Sequence, residues 1–218
     1  MLLSVRHWAG RLRRRARRWG GTVARPIVWY FSITFLRISR RPHASVLRTM
    51  LWAWNNSWAP SVEYCKAVAL EARHHPGGVI ETGSGATTIL LAAMGVPVVA
   101  LEHLPEWALR VNRNVRWAKR ATVLQRGLVS YGEYDWYGVR PGDLPASATL
   151  IVCDGPPGVT RGGRYGLVPT VRPAKGTVIL LDDVGRAGER AVLDRWWEEE
   201  GITFEIDPGP YPYARAVV

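Results

Sequence analysis

The chain has 218 residues, of which 47% are hydrophobic and 22% charged; this suits one globular domain with a short appendage and excludes a mainly disordered chain. Two cysteines, Cys65 and Cys153, exclude a disulfide framework, so the expected compartment is reducing, the cytoplasm. The net charge of +11 is uneven: residues 1–62 hold twelve Arg and no Asp, Glu or Lys, whereas residues 63–218 set fourteen Arg and three Lys against eighteen acids.

The body is therefore near neutral, and any contact with a polyanion belongs to the head, residues 1–44. Its run RHWAGRLRRRARR, residues 6–18, is followed by PIVWYFSITFL, residues 26–36, and by Arg37, Arg40 and Arg41. Eleven apolar-leaning residues are fewer than the roughly 18–20 needed to cross a bilayer. Three readings of the head stand side by side. It can lie on an anionic membrane surface with Trp29 and Tyr30 at headgroup depth, making the protein peripheral to the membrane. It can be a helix packed on the domain. It can also be a nucleic-acid-binding or transit segment. Residues 44–58 are expected to form a helix with Leu47, Leu51, Trp54 and Trp58 on one face. Val62, Cys65, Ala69 and Ala72 give a second helical stripe, stopped by His74, His75, Pro76 and Gly77.

From Gly78 onward, short apolar runs alternate with helices. GVIET, PVVALE, ATVLQ, TLIVCD, TVILLDD, ITFEI and YARAVV read as strands. TTILLAAM, a segment from Pro105 with Leu104, Ala108, Val111 and Val115 on one face, and Arg186 to Glu200 with Val192, Leu193, Trp196 and Trp197 inward, read as helices. Such alternation predicts an α/β fold: a mostly parallel sheet covered on both faces, with ligands at the carboxyl ends of the strands. Acids crowd those ends, at Glu81, Glu102, Asp154, Asp182 and Asp183.

The first strand runs into Glu81-Thr82-Gly83-Ser84-Gly85-Ala86-Thr87-Thr88. Gly83 and Gly85 permit a tight turn and close approach of a ligand to the backbone. Glu102, 19 residues after Gly83, stands where an acid accepts bonds from ribose hydroxyls. NAD fits less well, because Thr88 replaces the third glycine of the dinucleotide fingerprint and Glu81 would repel a pyrophosphate. An acid in the loop suits a ligand with an ammonium group and no phosphate, such as S-adenosylmethionine. Glu-x-Gly-x-Gly after the first strand, Glu102 after the second and Asp154 after the fourth resemble the class I S-adenosylmethionine-dependent methyltransferases over roughly residues 61–218. The resemblance implies a Rossmann-like seven-stranded fold for residues 45–218. It assigns the methionine portion of the cofactor to Glu81, Gly83, Ser84 and Gly85, the ribose to Glu102, and the flanks of the adenine to His103, Gly127 and Leu128.

IVCDGPPG, RYGLVP and KGTVILLDDV resemble the metal-dependent catechol and caffeoyl-CoA O-methyltransferases. That resemblance puts Asp154, Asp182 and Asp183 at metal-ligand positions, with Asp183 where an Asn is usual. Three carboxylates suit Mg²⁺ or Mn²⁺; the other reading of Asp182-Asp183 is a helix cap with a dipole contact. The catechol branch has a Lys base where this chain has Pro157, so either a metal alone acidifies the acceptor hydroxyl or another group takes the proton, for which Asp154 is the candidate catalytic base. In Asp154-Gly155-Pro156-Pro157-Gly158 the aromatic of the nucleic-acid amino-methyltransferase motif is missing, so nucleic acid is not the expected acceptor. The expected acceptor is a hydroxyl of a small molecule or glycan. Segments 131–148 and 155–172 are its expected walls, with Tyr131, Tyr134, Trp136 and Tyr137 available for stacking. A non-catalytic relative anchored by its head and an NAD-dependent enzyme are the alternatives.

Overall fold

In the computed structural model, which describes residues 21–140 and 142–218, the basic run at 6–18 lies outside the described residues. Three helices come first, α1 (Gly21–Ser39), α2 (Ala44–Trp54) and α3 (Val62–His74). The alternating part follows as β1 (Val79–Thr82), α4 (Ala86–Met94), β2 (Val98–Glu102), α5 (Pro105–Val115), β3 (Ala121–Gln125), β4 (Leu128–Ser130) and β5 (Asp135–Tyr137). It continues with β6 (Leu150–Cys153), α6 (Leu167–Val171), β7 (Val178–Leu181), α7 (Ala187–Glu200), β8 (Glu205–Asp207) and β9 (Tyr213–Val217).

Seven strands form one sheet in the order β3-β2-β1-β6-β7-β9-β8. The pairs from β3 to β7 are parallel, and β9 runs antiparallel to both β7 and β8. β1, β6 and β7 are buried at every position, as a strand covered on both faces must be. The alternation of side chains separates the two faces. Val79, Val98, Leu150, Val152, Val178 and Leu180 pack with Tyr64 and Val68 of α3 and Leu91 of α4. Ile80, Leu101, Ile151, Cys153, Ile179 and Leu181 pack with Trp196 of α7 and with Trp136 and Tyr165. Each such side chain moved out of water contributes about 1.5–3 kcal/mol before entropy is counted.

The segment 26–36 belongs to α1, which packs against α2 and α4. Ile33 and Leu36 join the core. Trp29 stacks on Trp54 at 5.0 Å, and its Nε1 donates to Asn114 Oδ1 at 3.1 Å. Trp29 is thus held by the fold and not placed for headgroups, whereas Tyr30 faces outward, 66% exposed. The break at residue 44 falls between two helices packed on each other.

Other local expectations shift. The helix expected over 44–58 stops at Trp54, because Asn55 takes a left-handed conformation (φ 50°) and its N–H closes on Leu51 O. Trp58 therefore leaves the stripe and is 75% exposed. Leu104 caps α5 from outside and is exposed, and Trp197, a step of about 100° round the helix from Trp196, is exposed too. ITFEI contributes strand only from Glu205. Residues 128–137, expected as loop, fold back as the hairpin β4–β5, in which Leu128 pairs with Tyr137.

Candidate functional site

The strand order reverses between β1 and β6, where the chain leaves β1 toward α4 on one side and β6 toward Pro156 on the other. Ligand clefts form at such a switch point. Two glycines make it narrow. Gly83 has φ +81°, and a Cβ on it would lie 2.9 Å from Gly155 N; a Cβ on Gly155 would meet the Tyr137 hydroxyl at 2.5 Å. The two loops can lie backbone to backbone only because neither residue has a side chain.

Above them opens a cleft of about 870 Å³, at the upper end of the roughly 300–1,000 Å³ usual for small-molecule sites. Gly83, Ser84, Gly85, Glu102 and His103 line one part, and Asp154, Asp182 and Asp183 another. Gly85 has nothing within 4 Å of where its Cβ would stand, so the loop keeps an open cradle.

Glu102 is 3% exposed and locks that cradle. Its Oε2 accepts from Ser84 N (3.1 Å) and Ser84 Oγ (3.0 Å), and its Oε1 accepts from Leu104 N (3.0 Å). His103 Nδ1 lies 3.2 Å from Oε1, within ion-pair distance and without a hydrogen bond. Burial alone would raise the Glu102 carboxyl; the His103 ring and the Leu104 and Ser84 donors outweigh it and hold the group below the usual carboxylate range. Trp107, which also lines the cleft, donates from Nε1 to Ser84 O at 2.6 Å.

Glu81 has its hydrogen-bond partners behind the loop. It is fully buried and does not line the cleft. Its carboxylate accepts from the hydroxyls of Thr87 and Thr88, and Thr88 Oγ1 in turn accepts from Gly85 N at 2.8 Å. Glu81 thus shapes the loop from behind. Burial pushes its carboxyl up to about 7, against the pull of the two threonines. Gly127 and Leu128 also stay outside the cleft. Gly127 O accepts from Gly138 N, which turns the stretch into the base of the hairpin and brings Tyr137 to the cleft in its place. Tyr137 is fully buried, and its hydroxyl has no partner among the described residues.

The three aspartates converge: one oxygen from each of Asp154, Asp182 and Asp183 lies within 4.8 Å of the others. A cation already stands among them. Arg164, 2% exposed, sends Nη2 to Asp154 Oδ1 (3.3 Å), Asp183 Oδ2 (3.0 Å) and Asp154 O (2.9 Å), and Nη1 to Asp182 O (2.5 Å). Arg186 adds a contact of 2.9 Å to Asp183 Oδ2. Burial and the neighbouring carboxylates raise Asp154 well above its ordinary value although Arg164 opposes them, and burial with Asp183 pushes Asp182 up to about 6. Among the described residues no hydrogen bond reaches Asp154 Oδ2, Asp182 Oδ2 or Asp183 Oδ1. Asp183 Oδ2 and Asp154 Oδ1 are committed to arginine, which leaves one oxygen of each acid for a ligand. Three carboxylate oxygens are the donors a hard divalent ion takes, although Arg164 and Arg186 already offset most of the acids' negative charge.

The far walls of the cleft differ from expectation. Of 131–148 only Tyr137 takes part, and of 155–172 only Gly155, Pro157 and Arg164. Tyr131 and Tyr134 instead stack on each other at 5.4 Å, and Trp136 is core. The walls come from Asn55 to Ser61 after α2 and from Pro210 to Pro212, and they place the exposed rings of Trp58 and Tyr211 on the cleft. Sequence reading missed Arg164, Trp58 and Tyr211. The first had a sign in it: a single Arg followed by Tyr in a Gly-rich stretch, between strands that both end in acids.

No family model matches this sequence, and no curated protein matches it. Solved structures do. An O-methyltransferase from Bacillus cereus in complex with SAH (S-adenosylhomocysteine) is 19% identical with a TM-score of 0.54, over 84% of this chain and 95% of that one. An SAH-bound methyltransferase from Podospora anserina is 12% identical with a TM-score of 0.57, over 87% of each chain. A precorrin-6y C5,15-methyltransferase from Geobacter metallireducens is 16% identical with a TM-score of 0.54, over 75% of this chain and 92% of that one. The chain has the Rossmann-like fold of these methyltransferases, seven strands with helices on both faces.

Proposed function

We propose that this protein is a methyltransferase that moves the methyl group of S-adenosylmethionine to a hydroxyl of a small molecule or glycan. The observation that carries the reading is one cleft holding both the open Gly83–Gly85 cradle backed by Glu102 and the Asp154 cluster. Two of the similar structures were determined with SAH.

S-adenosylmethionine supplies an electrophilic methyl group on a sulfonium. The chain has to hold the donor, align an acceptor oxygen behind the methyl and take the acceptor proton. Ser84 and Gly85 offer backbone at the cradle, and Glu102 offers carboxylate oxygens to the ribose. Asp154 is the candidate base: burial and the neighbouring acids Asp182, Asp183 and Glu81 raise its carboxyl well above the ordinary carboxylate value, which strengthens its hold on an acceptor proton when it is ionised. Arg164 fixes one of its oxygens and leaves Oδ2 free for that task. Pro157 lines the cleft where a lysine base would stand and can take no proton. With Mg²⁺ or Mn²⁺ bound, Asp154, Asp182 and Asp183 would hold it, Asp154 Oδ2 would be a ligand and not the base, and the ion would acidify the acceptor hydroxyl in its place. Trp58 and Tyr211 present ring faces that suit a sugar or an aryl group.

Calorimetry with SAH and with NAD tests the donor, and transfer of a labelled methyl group to a panel of sugars and phenols tests the acceptor. Binding of SAH at micromolar concentration without NAD binding is expected. Absence of SAH binding would overturn the proposal.

A further inference from the structure

α1 is apolar on two opposite faces. Ala24, Val28, Ile33 and Leu36 face the body and are buried. On the other side stand Ile27 (43% exposed), Tyr30 (66%) and Ile38 (81%). At about 100° per residue, Ile27, Tyr30, Thr34 and Ile38 fall within an arc of roughly 80°. No charged side chain interrupts that arc; Arg37, whose guanidinium lies over the Trp117 ring at 4.3 Å, stands beside it, and Arg40 and Arg41 follow the helix. A helix whose second face looked only into water would carry its charges there, so this face calls for a cover.

Charge decides what covers it. Residues 6–18, which lead into α1, contain seven Arg, and no acid occurs before Glu63. A second copy of this face would bring two such segments together and repel itself. A nucleic acid would satisfy the arginines and leave Ile27, Tyr30 and Ile38 in water. An anionic lipid surface satisfies both, with the apolar stripe in the acyl boundary and the guanidiniums among phosphates. Among the described residues no helix is long and apolar enough to cross a membrane, so α1 lies on the surface. We infer that the outer face of α1, Ile27, Tyr30 and Ile38, seats this protein on an anionic membrane surface. This goes beyond the methyl-transfer reading and stands without it.

The test is co-sedimentation of the full chain with vesicles of phosphatidylcholine alone and of phosphatidylcholine with phosphatidylglycerol. The parent chain is compared with the triple variant Ile27→Ser, Tyr30→Ser, Ile38→Ser. All three residues are outward, so the variant keeps its fold, checked by circular dichroism. The expected result is binding to the anionic vesicles at least about tenfold tighter than to neutral ones, with the variant weakened at least about tenfold. Raised salt should weaken the parent's binding without abolishing it, since burial of the stripe is not screened. Three outcomes would overturn the inference: no vesicle binding by the full chain, a variant that binds as tightly as the parent, or a parent dimer that the variant dissolves. SAH affinity, measured on both chains, is expected to stay equal, which separates this result from the fate of the methyltransferase reading.

Discussion

Arg164 Nη2 lies 3.3 Å from Asp154 Oδ1 while the same nitrogen reaches the main-chain oxygen of that residue at 2.9 Å. The guanidinium therefore grips both the end of β6 and the acid it presents. With Nη1 on Asp182 O at 2.5 Å, one side chain ties together the ends of β6 and β7, the two strands that deliver all three aspartates.

Removing that cation should be costly. In Arg164→Met, Asp154, Asp182 and Asp183 would face one another with only Arg186 nearby. Breaking a buried charge network in this way costs about 3–5 kcal/mol, a fall in Tm on the order of 10 °C. Thermal denaturation should show it. If the free oxygens form a metal site, Mn²⁺ should recover part of the loss and should bind the variant more tightly than the parent.

Metal dependence is checked separately on the parent chain. Methyl transfer is expected to stop in EDTA and to return with Mg²⁺ or Mn²⁺, and Asp182→Asn is expected to raise the concentration of metal needed. Full activity in EDTA would leave the aspartates as cap and base alone.

For the cofactor end, Glu102→Ala should weaken SAH by about 1.5–3 kcal/mol, some 10- to 100-fold, because a buried carboxylate that organises Ser84 and meets the ribose is lost. Unchanged affinity by calorimetry would take Glu102 out of the site.

The buried Tyr137 hydroxyl lacks a partner among the described residues and lines the cleft. Tyr137→Phe should leave the ligand-free protein as stable as the parent or slightly more so. It should weaken ligand by about 0.5–1.5 kcal/mol, the net worth of one hydrogen bond. Tm shifts with and without SAH read both effects, and equal SAH-induced shifts in the two proteins would count against the role.

Glu81 should leave a mark on stability against pH. Its carboxyl is raised from an ordinary value of 4.5 to about 7 in the fold. The folded chain therefore holds a proton that the unfolded chain has lost over that window. This contribution to stability is whole below about 4.5 and fades as pH rises through 7, by on the order of 3 kcal/mol in total. Between pH 5 and 8 the parent's Tm should fall relative to that of Glu81→Gln, which has no proton to lose. Parallel curves would mean that the carboxyl titrates normally.

Much of the fold was legible because it depends on local chemistry. β6 and β7 are continuous apolar runs of four residues and β1 opens on Val79 and Ile80, Ser61 caps α3 by accepting from Tyr64 N, and Gly201 ends α7 in a left-handed turn. The acids at strand ends followed from the same reading, since a parallel sheet puts all such ends on one side. Tertiary structure decided what those residues face. Glu81 is paired with Ala100 and so shares the face of Glu102, two residues further on, yet one meets the threonines of α4 and the other the cleft, because Glu102 stands at the very end of its strand and Glu81 one residue short of it. The hairpin β4–β5 exchanged Gly127 and Leu128 for Tyr137, a pairing across nine residues that no local propensity announces. Arg164 meets acids 10 and 19 residues away, and Trp58 and Tyr211 meet the cleft from opposite ends of the chain. Such juxtapositions depend on which loops the packed helices bring over the sheet, a property of the assembled core and not of any segment alone.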